Sequence, residues 1–149
     1  MLSKDFQDIV NLLSSHDVRF VIVGAYALGV YGYTRSTGDL DIFIKPELKN
    51  AKKMMLALTE FGAPMASISE KDLTLPGTVF QIGIAPMRID ILTSIDGVTF
   101  EEIQPERLDL GGVTAPVIDY IHLLKNKRST GRLRDLADAE ELEKRSQET

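Results

Sequence analysis

The sequence predicts an α/β or α+β layer fold, a mixed β-sheet flanked by helices, in a single domain spanning residues 1 to 149. Two observations predict it. Apolar stripes at helical spacing alternate along the chain with short runs of β-branched and aromatic residues, in the order αβαβαβ(β)βαα. A length of 149 residues, 44% of them hydrophobic, fills one core and does not call for a second.

Taken in order, Phe6, Ile9, Val10 and Leu13 recur at i, i+3, i+4 and i+7, so the first helix is amphipathic and ends near His16. Arg19 to Val23 is a short β-branched run suited to a strand buried on both faces, and Gly24 stops it. Gly24 to Val30 is a tight turn entering a short helix of small residues, and Asp39 to Ile44 is the next strand. Pro46 suits a helix start, with Leu48, Ala51, Met55 and Leu58 as the apolar stripe and Gly62 as the stop. The adjacent Met54 and Met55 read as core filler. Residues 63 to 77 mix Ser, Pro and Gly with short apolar pieces, which predicts a surface segment with one helical turn at Ser69 to Leu73.

Thr78 to Ile84 and Met87 to Ile95 are two further strands, joined through Ala85-Pro86 as a hairpin. Phe100 and Ile103 begin a short helix, and Arg107 to Leu110 is strand-like before the turn at Gly111-Gly112. Val117, Ile118, Ile121 and Leu124 predict a helix after Pro116. Leu133, Leu136, Ala139 and Leu142 predict a last one beyond a break at Ser129-Thr130-Gly131. Glu143 to Thr149 is expected to fray.

Composition excludes several classes. With no Cys, neither disulfides nor thiolate metal sites are available, so a metal must be held by oxygen ligands or by His16 and His122. Both histidines are isolated, one at a helix end and one on a helix flank, and read as structural. No apolar run approaches the roughly twenty residues of a membrane span, and Met1 to Asp5 lacks the basic-then-apolar plan of a signal peptide, so a cytoplasmic protein is expected. A net charge of -5 argues against nucleic-acid binding by the whole surface. Lys125, Lys127, Arg128, Arg132 and Arg134 nevertheless cluster near the C-terminus. The cluster reads equally as a funnel for a triphosphate or RNA backbone and as a solvated helix face paired with Asp135, Asp138 and Glu140.

The chemistry centres on Asp39 to Ile44. Alternation puts Leu40, Ile42 and Ile44 on one face, toward a core, and Asp39 and Asp41 on the other, roughly 7 Å apart along the strand. Two carboxylates that close repel, and a cation would hold both ionised. An isolated Asp-x-Asp also occurs as water-facing strand-end residues, so the rest of the chain must decide. Arg88 and Asp90 repeat the pattern on a later strand, with Ile89 and Ile91 on its opposite face. Three acids on oxygen-only chemistry suit Mg²⁺ or Mn²⁺, and a two-metal site with ions roughly 4 Å apart suits phosphoryl transfer. Gly24 lets backbone approach a ligand closely, and the helix that follows points free N–H groups outward as a phosphate site. Gly29, Gly32 and Gly38 flank a loop that returns Arg35 and Thr37 to the same place, where Arg35 adds a bidentate phosphate contact. Tyr26, Tyr31 and Tyr33 surround the turn and suit either base stacking or, for at least two of them, core packing.

Gly24-Ala25 with Gly29 and Gly32, then Arg35-x-Thr37-x-Asp39-Leu40-Asp41-Ile42, then Arg88-Ile89-Asp90-Ile91-Leu92, resembles the nucleotidyltransferase superfamily of polymerase-β-like fold. Within it the chain is most similar to small stand-alone members related to the AbiEii-type abortive-infection toxins. Leu123 to Arg128 and Arg132-x-Arg134-Asp135-Leu136-Ala137-Asp138 resemble that group's closing helices. The resemblance spans roughly residues 18 to 142 and implies metal at Asp39, Asp41 and Asp90 and nucleoside triphosphate at Gly24, Ala25, Arg35, Thr37 and Lys125. The superfamily usually has Gly-Ser or Gly-Gly where this chain has Gly24-Ala25, so a serine hydroxyl contact is replaced by backbone N–H alone.

The resemblance further implies transfer of a nucleotide to a hydroxyl on RNA, such as a tRNA end, or on a protein, as part of a toxin-antitoxin or phage-defence system. All three aspartates carry catalysis in that reading, with Asp90 taking the acceptor's proton. A partner protein or a homodimer is expected to complete so small a site. The alternative is a non-catalytic nucleotide- or partner-binding module on the same fold.

Overall fold

Helix α1 (Lys4–Ser15) begins where the Ser3 hydroxyl oxygen accepts the Phe6 N–H at 3.3 Å, and it buries Phe6, Ile9, Val10 and Leu13, the stripe that its spacing predicts. The computed structural model describes residues 3–33, 38–84 and 87–147. Within them α1 is followed by β1 (Phe20–Val23), α2 (Gly24–Val30), β2 (Asp39–Ile44), α3 (Leu48–Phe61), β3 (Val79–Ile82) and β4 (Arg88–Leu92). Then come β5 (Glu106–Asp109), β6 (Thr114–Val117), α4 (Tyr120–Ser129) and α5 (Leu133–Gln147). Short 3-10 turns occur at Met65–Ser67, Asp72–Thr74 and Phe100–Glu102.

The described strands form one mixed sheet in the order β3-β4-β2-β1-β6-β5. Strand β1 lies inside it and is buried at all four residues, which explains its unbroken apolar run. It runs antiparallel to β2, with Val23 opposite Asp41. Strand β2 runs parallel to β4, and this register places Asp39 opposite Arg88 and Asp41 opposite Asp90. Two charged strands are thereby held in step at the middle of the sheet. Helix α1 packs on α3, and α4 packs on α5. None of the helices among the described residues is long and apolar enough to cross a membrane.

The fold departs from the sequence expectations at four places. Val117 and Ile118 do not open a helix. Thr114–Val117 is a strand that inserts between β1 and β5, and α4 starts only at Tyr120. Its proline is tolerated because β6 meets β1 at the single pair Ile22 and Val117, after Pro116, reinforced by the Ile118 N–H donating to the Ile22 carbonyl at 3.0 Å. In α3 the buried stripe is rotated: Asn50, Ala51, Met54, Ala57 and Leu58 face inward, while Leu48 is exposed and Met55 only half-buried. Asn50 causes this. Its amide group accepts the Arg19 N–H at 2.8 Å and donates to the Arg19 and Lys45 carbonyls at 3.0 and 2.9 Å, tying the helix to the backbone at the end of the β1–β2 pair, where the Lys45 N–H also donates to the Arg19 carbonyl at 3.1 Å. In α5, Leu133 and Leu136 are exposed and the inward positions are Asp135, Asp138, Ala139 and Leu142. Finally, the expected fray from Glu143 is helix as far as Gln147.

Candidate active site

The parallel register of β2 and β4 decides which side chains meet. Asp41 and Asp90 sit side by side in the parallel register, and Asp39 lies one pleat period away beside Arg88. Arg88 Nη2 donates to Asp39 Oδ2 at 3.0 Å and reaches Asp90 Oδ2 only at 3.5 Å. Its Nε lies 3.1 Å from Asp90 Oδ1, close enough for charge attraction, yet neither buried atom makes an aligned hydrogen bond. One guanidinium thus spans two carboxylates and serves the second poorly.

Asp41 is the strained member of the group. Burial pushes its carboxyl up to about 7, and the charges of Asp90 and Asp39 push in the same direction, with Lys127 opposing them. Gly24 makes room for it. Its φ is 71°, and a Cβ at that position would collide with Asp41 Oδ2, so a glycine is required both by the backbone and by the carboxylate it faces.

A cavity of about 340 Å³ opens above these strands. Val23, Gly24 and Asp41 line one wall, and Asn126, Lys127 and Asp135 from the α4–α5 pair line the other. Lys127 is buried, with Nζ 3.2 Å from Asp135 Oδ1 and 3.3 Å from Asp138 Oδ2. Thr130 Oγ1 and Arg132 Nε donate to Asp135 Oδ2 at 2.8 and 2.7 Å. Burial alone would raise the Asp135 carboxyl, but Thr130, Arg132 and Lys127 overcome it and hold the group at about 2.

Lys127 is the functional candidate that sequence reasoning passed over in favour of Lys125. Lys125 donates to Glu102 Oε2 at 2.8 Å, drawing that carboxyl down to about 2 together with Thr99, and it does not line the cavity. The signal for Lys127 was the pair of acids eight and eleven residues on, which turn inward on α5 and draw its ammonium into the buried side of the cavity. Ala25 follows Gly24 on α2 and is half-buried. Arg35 and Thr37 lie outside the described residues. Four of the five basic residues of the cluster are in ion pairs: Arg128 with Glu143, Arg132 with Asp135, Lys125 with Glu102 and Lys127 with both acids of α5. The tyrosines pack: Tyr26 edge-on to Phe6, Tyr31 edge-on to Tyr120, and Tyr33 under the Arg145 guanidinium. His16 pairs with Glu60 and His122 with Asp119, both away from the acids.

Among the described residues no group of three or more acid or histidine side chains could hold a metal ion as the side chains stand. The expected convergence of the aspartates on one point is therefore incomplete, and the Arg88 guanidinium lies between Asp39 and Asp90, in contact with both. The donor set nevertheless fits a hard divalent cation. It offers oxygens only, one of them a buried Asp90 oxygen without a hydrogen bond, and a glycine cradle keeps Asp41 clear.

No family model and no curated protein matches the chain. Among solved structures it is similar to the candidate nucleotidyltransferase TM1012 from Thermotoga maritima, with 16% identity, 97% of this chain and 91% of that chain covered, and a TM-score of 0.61. The chain has the nucleotidyltransferase fold. At that identity the likeness is one of backbone architecture, and the site described above is argued from this chain's own residues.

Proposed function

We propose that the protein transfers a nucleotide from a nucleoside triphosphate to a hydroxyl acceptor, with Mg²⁺ or Mn²⁺ held by Asp39, Asp41 and Asp90. The observation that carries this reading is the β2–β4 register, which sets Asp41 opposite Asp90 and Asp39 one pleat period away, beside a glycine whose missing Cβ leaves room for the Asp41 carboxylate. When bound, the ion pair would polarise the reacting phosphoryl group and neutralise the departing pyrophosphate. Asp90, the most buried of the three, accepts the proton of the incoming hydroxyl. Backbone N–H groups at Gly24 and Ala25 hold phosphate oxygens, joined by Arg35 and Thr37. Lys127, rather than Lys125, supplies the positive charge on the facing wall, about where a triphosphate would extend from Asp41. The acceptor is RNA, such as a tRNA end, or a protein, and the likeness of the sequence to AbiEii-type toxins favours a role in a toxin-antitoxin or phage-defence system, with a partner protein or second copy completing the acceptor site.

The test is label transfer from each labelled nucleoside triphosphate, with Mg²⁺, into the RNA and protein of a cell extract. Labelled RNA or a labelled protein band that disappears with Asp41→Asn supports the enzyme and identifies the acceptor class. Triphosphate binding without transfer from any of the four nucleotides supports the non-catalytic binding module instead.

A further inference from the structure

Arg88 stands where a cation belongs. It opens β4, and the parallel register sets it opposite Asp39 and two residues from Asp90 on the same face. Its guanidinium contacts both acids, 3.0 Å from Asp39 Oδ2 and 3.1 Å from Asp90 Oδ1. We propose that Arg88 is a built-in counter-ion of the acid site, holding Asp39 and Asp90 when no divalent cation is present and giving way when one binds, so that loading the site is an exchange of cations. The proposal rests on the reading of the three aspartates as a metal site.

Three features of the contact suit a cation that leaves. First, it is badly made: one 3.0 Å hydrogen bond to Asp39, a 3.5 Å approach to Asp90 Oδ2, and a 3.1 Å Nε to Oδ1 contact without alignment. A guanidinium committed to one carboxylate makes two parallel bonds. Second, the Arg88 side chain remains 32% exposed although its Nε is buried, so it has a path to solvent along the edge of the site. Third, the guanidinium bridges Asp39 and Asp90 but makes no hydrogen bond to Asp41 among the described residues, although all three carboxyl groups lie on the same pair of strands. A divalent ion brings twice the charge and accepts oxygens from all three directions, so it outcompetes the guanidinium for the same atoms. The same exchange explains why no ligand shell is preformed among the described residues: Asp39 and Asp90 turn to Arg88 until the ion arrives.

The experiment is a Mn²⁺ titration of metal-stripped protein, followed through the free-ion electron paramagnetic resonance signal, on wild type, Arg88→Met, Arg88→Lys and Asp41→Asn. Removing an internal competitor raises affinity, so Arg88→Met is expected to bind Mn²⁺ about tenfold more tightly, equivalent to about 1.4 kcal/mol. Arg88→Lys falls between it and wild type. The metal-free melting temperature of Arg88→Met drops, while the Mn²⁺-saturated value returns to that of wild type. Unchanged or weaker Mn²⁺ binding by folded Arg88→Met overturns the proposal. Should Arg88→Met not fold, the wild-type Arg88 Nε–H resonance, assigned by its loss in Arg88→Lys, serves instead. Mg²⁺ is expected to move it and open it to solvent exchange, and a resonance indifferent to saturating Mg²⁺ overturns the proposal. If wild type binds no Mn²⁺, or Asp41→Asn binds it equally well, the metal site itself is refuted and the proposal falls with it.

Discussion

Two clusters of carboxylates reach the cavity, one through Asp41 and the other through Asp135, and they are built to opposite standards. On α4 and α5, Asp135 and Asp138 hold a buried lysine between them, and Asp135 takes further hydrogen bonds from Thr130 and Arg132. On β2 and β4, one arginine bridges Asp39 and Asp90 and serves Asp90 poorly, Asp41 is buried beside them, and one buried Asp90 oxygen is left without a bond. Their acidities differ accordingly: Asp135 is held at about 2 and Asp41 is driven up to about 7. A satisfied cluster stabilises the fold, whereas an under-compensated one stores repulsion that an external cation can relieve. Position in the sheet alone would not distinguish them. The completeness of the partners does.

The largest effect is expected on the satisfied side. Lys127→Met leaves Asp135 and Asp138 buried with their central charge removed, and chemical denaturation at pH 7 should register a loss of about 3–5 kcal/mol. A loss under 1 kcal/mol would mean that the α4–α5 network is solvated and the comparison fails on that side.

On the other side the sign reverses. A folded-state Asp41 acidity near 7, against 3.8 when unfolded, means that the metal-free native state holds a proton that the unfolded chain has already released. That contribution is fully present below about pH 4 and is lost as pH rises through 7. Asp41→Asn should therefore stabilise the metal-free protein at pH 8 by up to about 4 kcal/mol, with the gain vanishing toward pH 4. Asp135 runs the other way: its stabilisation is present above its unfolded acidity and is lost as pH falls toward 2. Denaturation curves for wild type and Asp41→Asn across pH 3 to 9 would check both halves, and a pH-independent difference between them would contradict the assignment of the strain to Asp41.

Gly24 tests how closely the turn and the acid are coupled. Gly24→Ala places a side chain at a φ of 71° against Asp41 Oδ2 and should cost about 1–2 kcal/mol while weakening Mn²⁺ binding. Normal Mn²⁺ affinity in a destabilised variant would reduce the glycine to a backbone requirement. The smallest change is expected at the rim. The Arg132 side chain is mostly exposed, and Asp135 keeps Lys127 and Thr130 without it, so Arg132→Gln should cost less than about 1 kcal/mol in the same denaturation assay.

Much of the site was legible before any fold was known, because strand alternation is strictly local. Asp39 and Asp41 had to share a face, Arg88 and Asp90 had to share another, and Gly24 after an apolar strand marked the turn. Less legible was any feature in which a helix turns a polar residue inward. Asn50, Asp135 and Asp138 occupy buried positions that an apolar-stripe count assigns to leucines, and each does so only because distant groups satisfy it: backbone at Arg19 and Lys45 for Asn50, Lys127 for the two acids. The choice of Lys125 over Lys127 has the same origin. The two side chains differ by two positions on one helix, about 200° of rotation, and which of them meets the cavity depends on how α4 lies against α5.

By itself, then, the amino-acid order determined the alternating elements, the charged residues that share one face of each strand and the glycine turn, since all of these follow from backbone geometry over a few residues. Tertiary structure alone decided that β2 and β4 run in parallel with Asp41 beside Asp90, that β6 slips between β1 and β5, and that Arg88 rather than solvent faces the acids. Those outcomes depend on contacts between residues tens of positions apart, where burial and charge compensation, not local spacing, select the partner.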